Sequence, residues 1–124
     1  MILFGGEFFD GRTTLLFNDL YIYDIKKQHW KRVQTPQPPA PRSSHQAESV
    51  AMRDGELWMF GGEYTSPSQS QFYHYNDLYV LHLSTLRWEK QAASTTGPSG
   101  RSGHRMTTAK RQLFLFGGFQ DYIT

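Results

Sequence analysis

An all-β fold built from repeated four-stranded antiparallel sheets is what this sequence predicts, and three observations carry that reading. Phe, Tyr and Trp make up 15% of its 124 residues, about twice the usual share, and ring side chains suit a pleated surface. Eleven glycines and six prolines punctuate the chain, supplying sharp turns between short strands. A tetrapeptide also recurs at constant spacing. Leu3-Phe4-Gly5-Gly6 returns as Met59-Phe60-Gly61-Gly62 and as Leu115-Phe116-Gly117-Gly118, each copy 56 residues after the last, which marks a repeat architecture.

Two further echoes complete the unit. Phe17-Asn18-Asp19-Leu20-Tyr21-Ile22-Tyr23 matches Tyr75-Asn76-Asp77-Leu78-Tyr79-Val80-Leu81, and each is followed by a tryptophan, Trp30 and Trp88. Pro41-Arg42-Ser43-Ser44-His45 matches Gly100-Arg101-Ser102-Gly103-His104.

The middle copy shows every element in order. Strand A is the polar-alternating stretch from His45 to Arg53. Asp54-Gly55 tolerates the positive φ of a two-residue turn, so it is expected to close a hairpin onto strand B, Glu56 to Gly62. The double glycine is expected to end that strand, where the absence of a Cβ permits a sharp turn or close approach of a neighbouring sheet. Strand C, Asp77 to Leu83, is apolar at nearly every position, as befits a strand covered on both faces. Strand D, around Arg87 to Lys90, carries the tryptophan. By this frame residues 1–33 hold strands B, C and D of a first unit, 42–90 a complete unit, and 101–124 strands A and B of a third.

An apolar block ending in Gly-Gly, then Asn-Asp-Leu with a spaced aromatic, then a lone Trp resembles the kelch repeat, whose length is about 50 residues. The likeness covers nearly the whole chain. It is similar in particular to the family of kelch domain-containing protein 4, through Phe60-Gly61-Gly62-Glu63, Gln71-Phe72-Tyr73-His74-Tyr75 and the run from Gly97 to Met106. The resemblance implies a β-propeller whose blades are four-stranded antiparallel sheets. Its signature residues here are Gly5, Gly6, Tyr21, Trp30, Gly61, Gly62, Tyr79, Trp88, Gly117 and Gly118. At a period of 56 the chain amounts to about 2.2 blades, where propellers close with about four to eight. The chain is therefore expected to be a fragment of an incomplete ring, finished by further blades.

Composition narrows the functions. With no cysteine, disulfides, thiolate metal sites and cysteine nucleophiles are excluded, and a reducing, intracellular setting, cytoplasmic or nuclear, is expected. The resemblance admits a copper oxidase similar to galactose oxidase, but its cysteine-linked tyrosine cannot form here. No P-loop, nucleophile elbow or metal-binding histidine spacing occurs, so no metal and no cofactor are expected, and the reading is non-catalytic. The net charge of +2 gives slight support to nucleic-acid binding by Arg101, Arg105, Lys110 and Arg111. No apolar run spans a bilayer, so neither nucleic acid nor membrane is the expected partner.

What remains is a protein partner. The B-to-C and D-to-A segments (Glu7 to Phe17, Gln34 to Ser44, Glu63 to Tyr75, Gln91 to Gly103) fall at one end of the blades, and long loops on a rigid frame carry recognition. Arg42, Arg101 and Arg105, with Tyr64, Phe72 and Tyr73, are the candidate contact residues on that face, being types enriched in interface hot spots. Arg42 and Arg101 share a repeat position, as do His45 and His104 and also Glu7 and Glu63, which favours structural work for them. The overlapping Pro-x-x-Pro of Thr35 to Arg42 reads as a stiff crossover before it reads as a ligand. Service as a ubiquitin-ligase adaptor, known for several kelch families, is an alternative the resemblance implies.

Overall fold

The computed structural model describes residues 1–121, which form strands and turns and no helix; among them nothing is long and apolar enough to cross a membrane as a helix. The last three residues of the third unit, 122–124, lie outside the described residues. Strands β1 (Ile2–Phe9), β2 (Thr14–Asp24) and β3 (His29–Val33) make the first sheet in that order. The second sheet has four strands, β4 (Gln46–Val50), β5 (Glu56–Phe60), β8 (Leu78–His82) and β9 (Arg87–Lys90), every neighbour antiparallel. Between β5 and β8, β6 (Glu63–Thr65) and β7 (Phe72–His74) form a hairpin of their own. Strands β10 (Arg105–Ala109) and β11 (Gln112–Phe116) pair to begin a third sheet.

This is the architecture of propeller blades, and its core lies between sheets rather than within one. Phe4 and Leu20 of the first sheet meet Met59 and Leu81 of the second, with Ile2, Val33, Leu57, Tyr79, Leu83 and Trp88 around them. Alternation assigns these faces: Met59 and Leu81 look toward the first sheet, while Phe60 and Val80 look toward the third. Burying side chains of this size contributes about 1.5–3 kcal/mol each. A cleft of about 330 Å³ between the second and third sheets is lined by Phe60, Leu78, Met106, Leu113 and Leu115.

Three details differ from the expectations. Strand A is shorter than His45 to Arg53, and Asp54-Gly55 does not close a two-residue hairpin. Val50 pairs with Glu56, leaving five residues, 51–55, in the connection. Arg53, Asp54 and Gly55 all have positive φ, and Gly55 folds outward so that its carbonyl accepts from the Leu83 N–H of the neighbouring turn at 3.0 Å. The two-residue turn occurs instead at Lys110-Arg111, both left-handed at φ 50° and 62°. Next, the double glycine ends the strand only in the second and third units. In the first, β1 runs on through Gly5-Gly6 by a bulge between Phe4 and Gly6. Finally, the B-to-C segments are ribbons rather than loops, because Glu7 to Phe9 pairs with Thr14 to Leu16 and Glu63 to Thr65 pairs with Phe72 to His74.

The ribbon turns follow from local chemistry. Asp10 Oδ1 accepts from the Arg12 and Thr13 amides at 2.8 and 2.7 Å, while Gly11 takes φ +97° between them. Those amides hold the Asp10 carboxyl below the usual carboxylate range. The second ribbon's tip lies against the first: Thr14 N–H donates to Pro67 O at 3.1 Å, and Gln69 Nε2 donates to Thr14 Oγ1 and to Arg12 O.

Candidate functional site

Two arginines join successive blades by one pattern. The Arg42 amide donates to Phe17 O (3.2 Å) and its carbonyl accepts from Gly6 N–H (2.9 Å), so the backbone is gripped by the first sheet. Its side chain enters the second. Nη1 donates to Gly61 O at 3.0 Å and to Asp77 Oδ1 at 2.6 Å, Nη2 donates to Asp77 Oδ2 at 2.9 Å, and the guanidinium lies 4.0 Å from the Tyr75 ring centre. Arg101 repeats the backbone grip on Tyr75 O and Gly62 N–H, and its Nη1 donates to Gly117 O at 3.1 Å.

The residues beside the arginines repeat as well. Ser43 Oγ donates to Glu7 at 3.4 Å and Ser102 Oγ to Glu63 at 2.6 Å, so each serine ties its blade to the glutamate after the preceding Gly-Gly. Phe119 stands at the equivalent position in the third unit and meets the His74 ring instead. The His45 ring packs edge-on against Phe4 and that of His104 against Phe60. His104 Nε2–H donates to Phe60 O at 2.9 Å, which fixes the neutral tautomer, and Nδ1 of both histidines is buried without a partner. Burial pushes both rings below the ordinary imidazole range, His45 to about 4, with the Arg42 charge adding to the effect there.

Gly5 and Gly61 make room for this joint. A Cβ on Gly61 would stand 2.7 Å from Arg101 O and 2.8 Å from His104 Cε1; one on Gly5 would stand 2.8 Å from Arg42 O. Both glycines also lie at positive φ, +74° and +70°. The first glycine of the pair, at Gly5 and Gly61, is therefore required by the approach of the next blade's arginine and histidine.

This geometry redistributes the candidate contact residues. Arg42 is fully buried with its donors engaged internally, so it presents nothing to a partner. Arg101 is half-buried and bonded to Ser99 and Gly117. Arg105 is exposed at the start of β10, with Nη1 donating to His104 O. Tyr64 and Tyr73 come together, directly paired across β6 and β7 with rings stacked at 5.1 Å, and Tyr73 meets Tyr75 edge-on. Phe72 points to the opposite face of the ribbon, half-buried against His74. The proline stretch is a crossover: Pro39 is buried with its carbonyl bonded by Asn18, and Pro41 O accepts from the Tyr75 hydroxyl at 2.8 Å.

Sequence reasoning placed Glu7 to Phe17 on the candidate face but singled out none of its exposed side chains. Phe8 (54% exposed), Phe9 (56%) and Leu15 (46%) stand out from it, and Tyr73 (48%) from its neighbour. The available signal was Glu7-Phe8-Phe9, which repeats Glu63-Tyr64-Thr65 and so presents large side chains at the same place in two units. Among the described residues no three His, Asp or Glu side chains are arranged to hold a metal ion.

Comparison with known proteins places this geometry. Residues 1–123 match the model of the KLHDC2/KLHL20/DRC7 Kelch-repeats domain. Acyl-CoA-binding domain-containing protein 5 of Arabidopsis thaliana is 34% identical over 119 residues, covering 95% of this chain and 17% of its own length. N-acetylneuraminate epimerase of Salmonella arizonae is 27% identical over 106 residues, covering 83% of this chain and 26% of its own. The solved structure of YjhT, 22% identical, shares the fold with a TM-score of 0.66 over 94% of this chain and 33% of that one. The chain thus spans about a third or less of the length of these relatives.

Proposed function

Since the chain belongs to the kelch-repeat domain family, we propose that it is a non-catalytic protein-interaction module whose partner sits on the ribbon end of the blades. The observation that carries this reading is that two adjoining ribbons both expose large side chains: Phe8 and its cross-strand partner Leu15 on one face of the first, Phe9 on its other face, and Tyr73 on the second, each about half exposed. A soluble surface gains nothing by exposing several large apolar side chains together, and such patches mark protein contacts. Tyr64 stacked beneath Tyr73 stiffens the anchor, so little side-chain freedom is lost on binding.

In this reading residues 1–33, 42–90 and 101–124 are successive blade units, completed into a ring by further kelch blades, and the protein works inside the cell, in cytoplasm or nucleus. The absence of cysteine supports that setting. Membership near kelch domain-containing protein 4 rests on the Gln71 to Tyr75 and Gly97 to Met106 stretches. Adaptor service to a ubiquitin ligase would use the same face. An enzyme built on such blades is the second reading, and what favours it is the similarity to N-acetylneuraminate epimerase.

The test is affinity capture with the wild-type protein and a Phe8→Ala, Tyr73→Ala variant, thermal unfolding being matched first. At least a tenfold drop in recovery of the captured protein is expected. Equal recovery, or turnover of a sugar epimer pair by the wild type, would remove the reading.

A further inference from the structure

The tip of the second ribbon reads Ser66-Pro67-Ser68-Gln69-Ser70-Gln71, so one serine precedes proline and two precede glutamine. Both steps are patterns by which protein kinases choose a hydroxyl, and sequence alone leaves the three serines level. The fold makes them unequal. Ser66 is buried, its Oγ accepts from the Gln71 amide at 3.0 Å and its own amide donates to Gln71 O, so the Ser-Pro step is locked into the ribbon. Ser68 is exposed, but the glutamine behind it is occupied. Gln69 takes φ +60° and its Nε2 donates to Arg12 O, Thr14 Oγ1 and Pro67 O at 3.0, 3.1 and 3.2 Å. An enzyme that reads this side chain must first strip it from the other ribbon. Ser70 and Gln71 carry neither obstacle. Both are exposed, the Ser70 hydroxyl meets only those of Ser68 and Ser66, at 2.9 and 3.4 Å, and among the described residues the Gln71 side chain has no hydrogen-bond partner.

We propose that Ser70 is a phosphorylation site for a protein kinase that requires glutamine at the next position. The Ser70 oxygen attacks the γ-phosphorus of ATP, its proton passes to the aspartate of the kinase's catalytic loop, the bond to the bridging oxygen breaks and ADP leaves. The phosphate brings about 1.5 to 2 negative charges at neutral pH. The two ribbons already set the carboxylates of Glu7, Asp10 and Glu63 against the single arginine Arg12, so their end of the blades becomes strongly anionic. The bearing of that charge on a partner rests on the ribbon-end reading; the modification itself does not.

The 124-residue protein is incubated with a kinase of that specificity and ATP, and the modified serines are mapped and quantified by mass spectrometry. A synthetic peptide of residues 63–75 runs beside it, offering the same serines without the fold, and is expected to accept phosphate on both Ser68 and Ser70. In the protein, Ser70 is expected to carry at least ten times the phosphate of Ser68 or Ser66. Gln71→Ala should lower that yield at least tenfold, whereas Gln69→Ala, which frees the tip from the first ribbon, should leave it standing. Both glutamines lie on the exposed tip, so each variant serves as the folding control for the other. Phosphate absent from Ser70 of the protein, Ser68 modified as fully as Ser70, or a yield indifferent to Gln71→Ala overturns the proposal.

Discussion

Arg42 and Asp77 form a two-pronged ion pair, Nη1 to Oδ1 at 2.6 Å and Nη2 to Oδ2 at 2.9 Å, and the arginine side chain has no exposed surface. The arginine backbone belongs to the joint with the first sheet and its side chain to the second, so this pair couples two blades. Breaking one partner of a buried pair leaves the other charge unpaired, at about 3–5 kcal/mol. Asp77→Ala is expected to lower unfolding free energy by that order in urea denaturation. Asp19→Ala, at the equivalent but open position, should change it by less than about 0.5 kcal/mol. Equal losses would mean that the pair does not couple the blades.

Arg42→Lys should fail to rescue the joint. An ammonium cannot satisfy both Asp77 oxygens and Gly61 O in one plane, nor spread over the Tyr75 ring as a guanidinium does. The variant is expected to unfold at lower temperature than the wild type, with the Tyr75 hydroxyl freed from Pro41. A melting temperature equal to that of the wild type would contradict the planar role.

The glycines separate steric from conformational demands. A methyl group added to Gly61, at φ +74°, would meet Arg101 O and His104 Cε1 at 2.7 and 2.8 Å, whereas one added to Gly6, at φ +112°, would meet nothing within 4 Å. Gly6→Ala should therefore cost about 1 kcal/mol through backbone strain alone. Gly61→Ala must also push the next blade away and should cost at least twice as much. Chemical denaturation of the two variants side by side measures the difference, and equal values would place the whole effect in φ.

How much of this was readable follows from what repeats. The Gly-Gly, Asn-Asp-Leu and Arg-Ser positions stood out because each serves a joint between blades that recurs with the period, and the Trp position because it packs on the tyrosine of its own sheet in both units. The fold class was legible for that reason. Arg42 and Arg101 were seen to share a job, but Asp77 lies 35 residues beyond Arg42, and no local spacing reveals such a pairing. Asp54-Gly55 misled because its turn chemistry is real and its use is tertiary: Gly55 lies under Leu83, whose Cδ1 would be 3.0 Å from an added Cβ. Trp30 and Trp88 show the same limit. Each stands edge-on to the tyrosine of its own sheet, at 6.3 and 6.1 Å, yet only Trp88 also meets Phe4, at 4.9 Å. Sequence assigns the shared contact; the neighbouring blade decides the second.

That difference between the tryptophans is measurable. Trp30 is 48% exposed, while Trp88 is largely covered by the first sheet. Acrylamide should quench Trp30 readily, and Trp30→Phe should remove most of the quenchable emission, leaving half-buried Trp58 as a background common to all variants. Phe4→Ala, which uncovers Trp88 and removes a buried ring at a cost of about 3–5 kcal/mol, should make Trp88 newly accessible. If quenching in the Trp30→Phe background is unaffected by Phe4→Ala, the two sheets are not packed through this contact.

Acid should loosen the same joint through His45. Its pKa lies at about 4 when folded, against 6.5 for an ordinary imidazole, because burial disfavours the charged ring and Arg42 repels it, outweighing the pull of the Phe4 backbone. A lowered histidine pKa means that the unfolded chain binds the proton more readily. The His45 contribution to stability is thus fully present above pH 6.5, shrinks as pH falls from there toward 4, and is gone below. Its upper limit is about 3.5 kcal/mol, at about 1.4 kcal/mol for each pKa unit. His104 is shifted in the same direction by burial and adds to the trend. Replacing His45 by Gln removes the titrating group while keeping a polar side chain of similar reach. Urea denaturation at pH 7 and pH 4.5 should therefore show a smaller drop in stability for His45→Gln than for the wild type; an identical drop would assign the acid sensitivity to other groups.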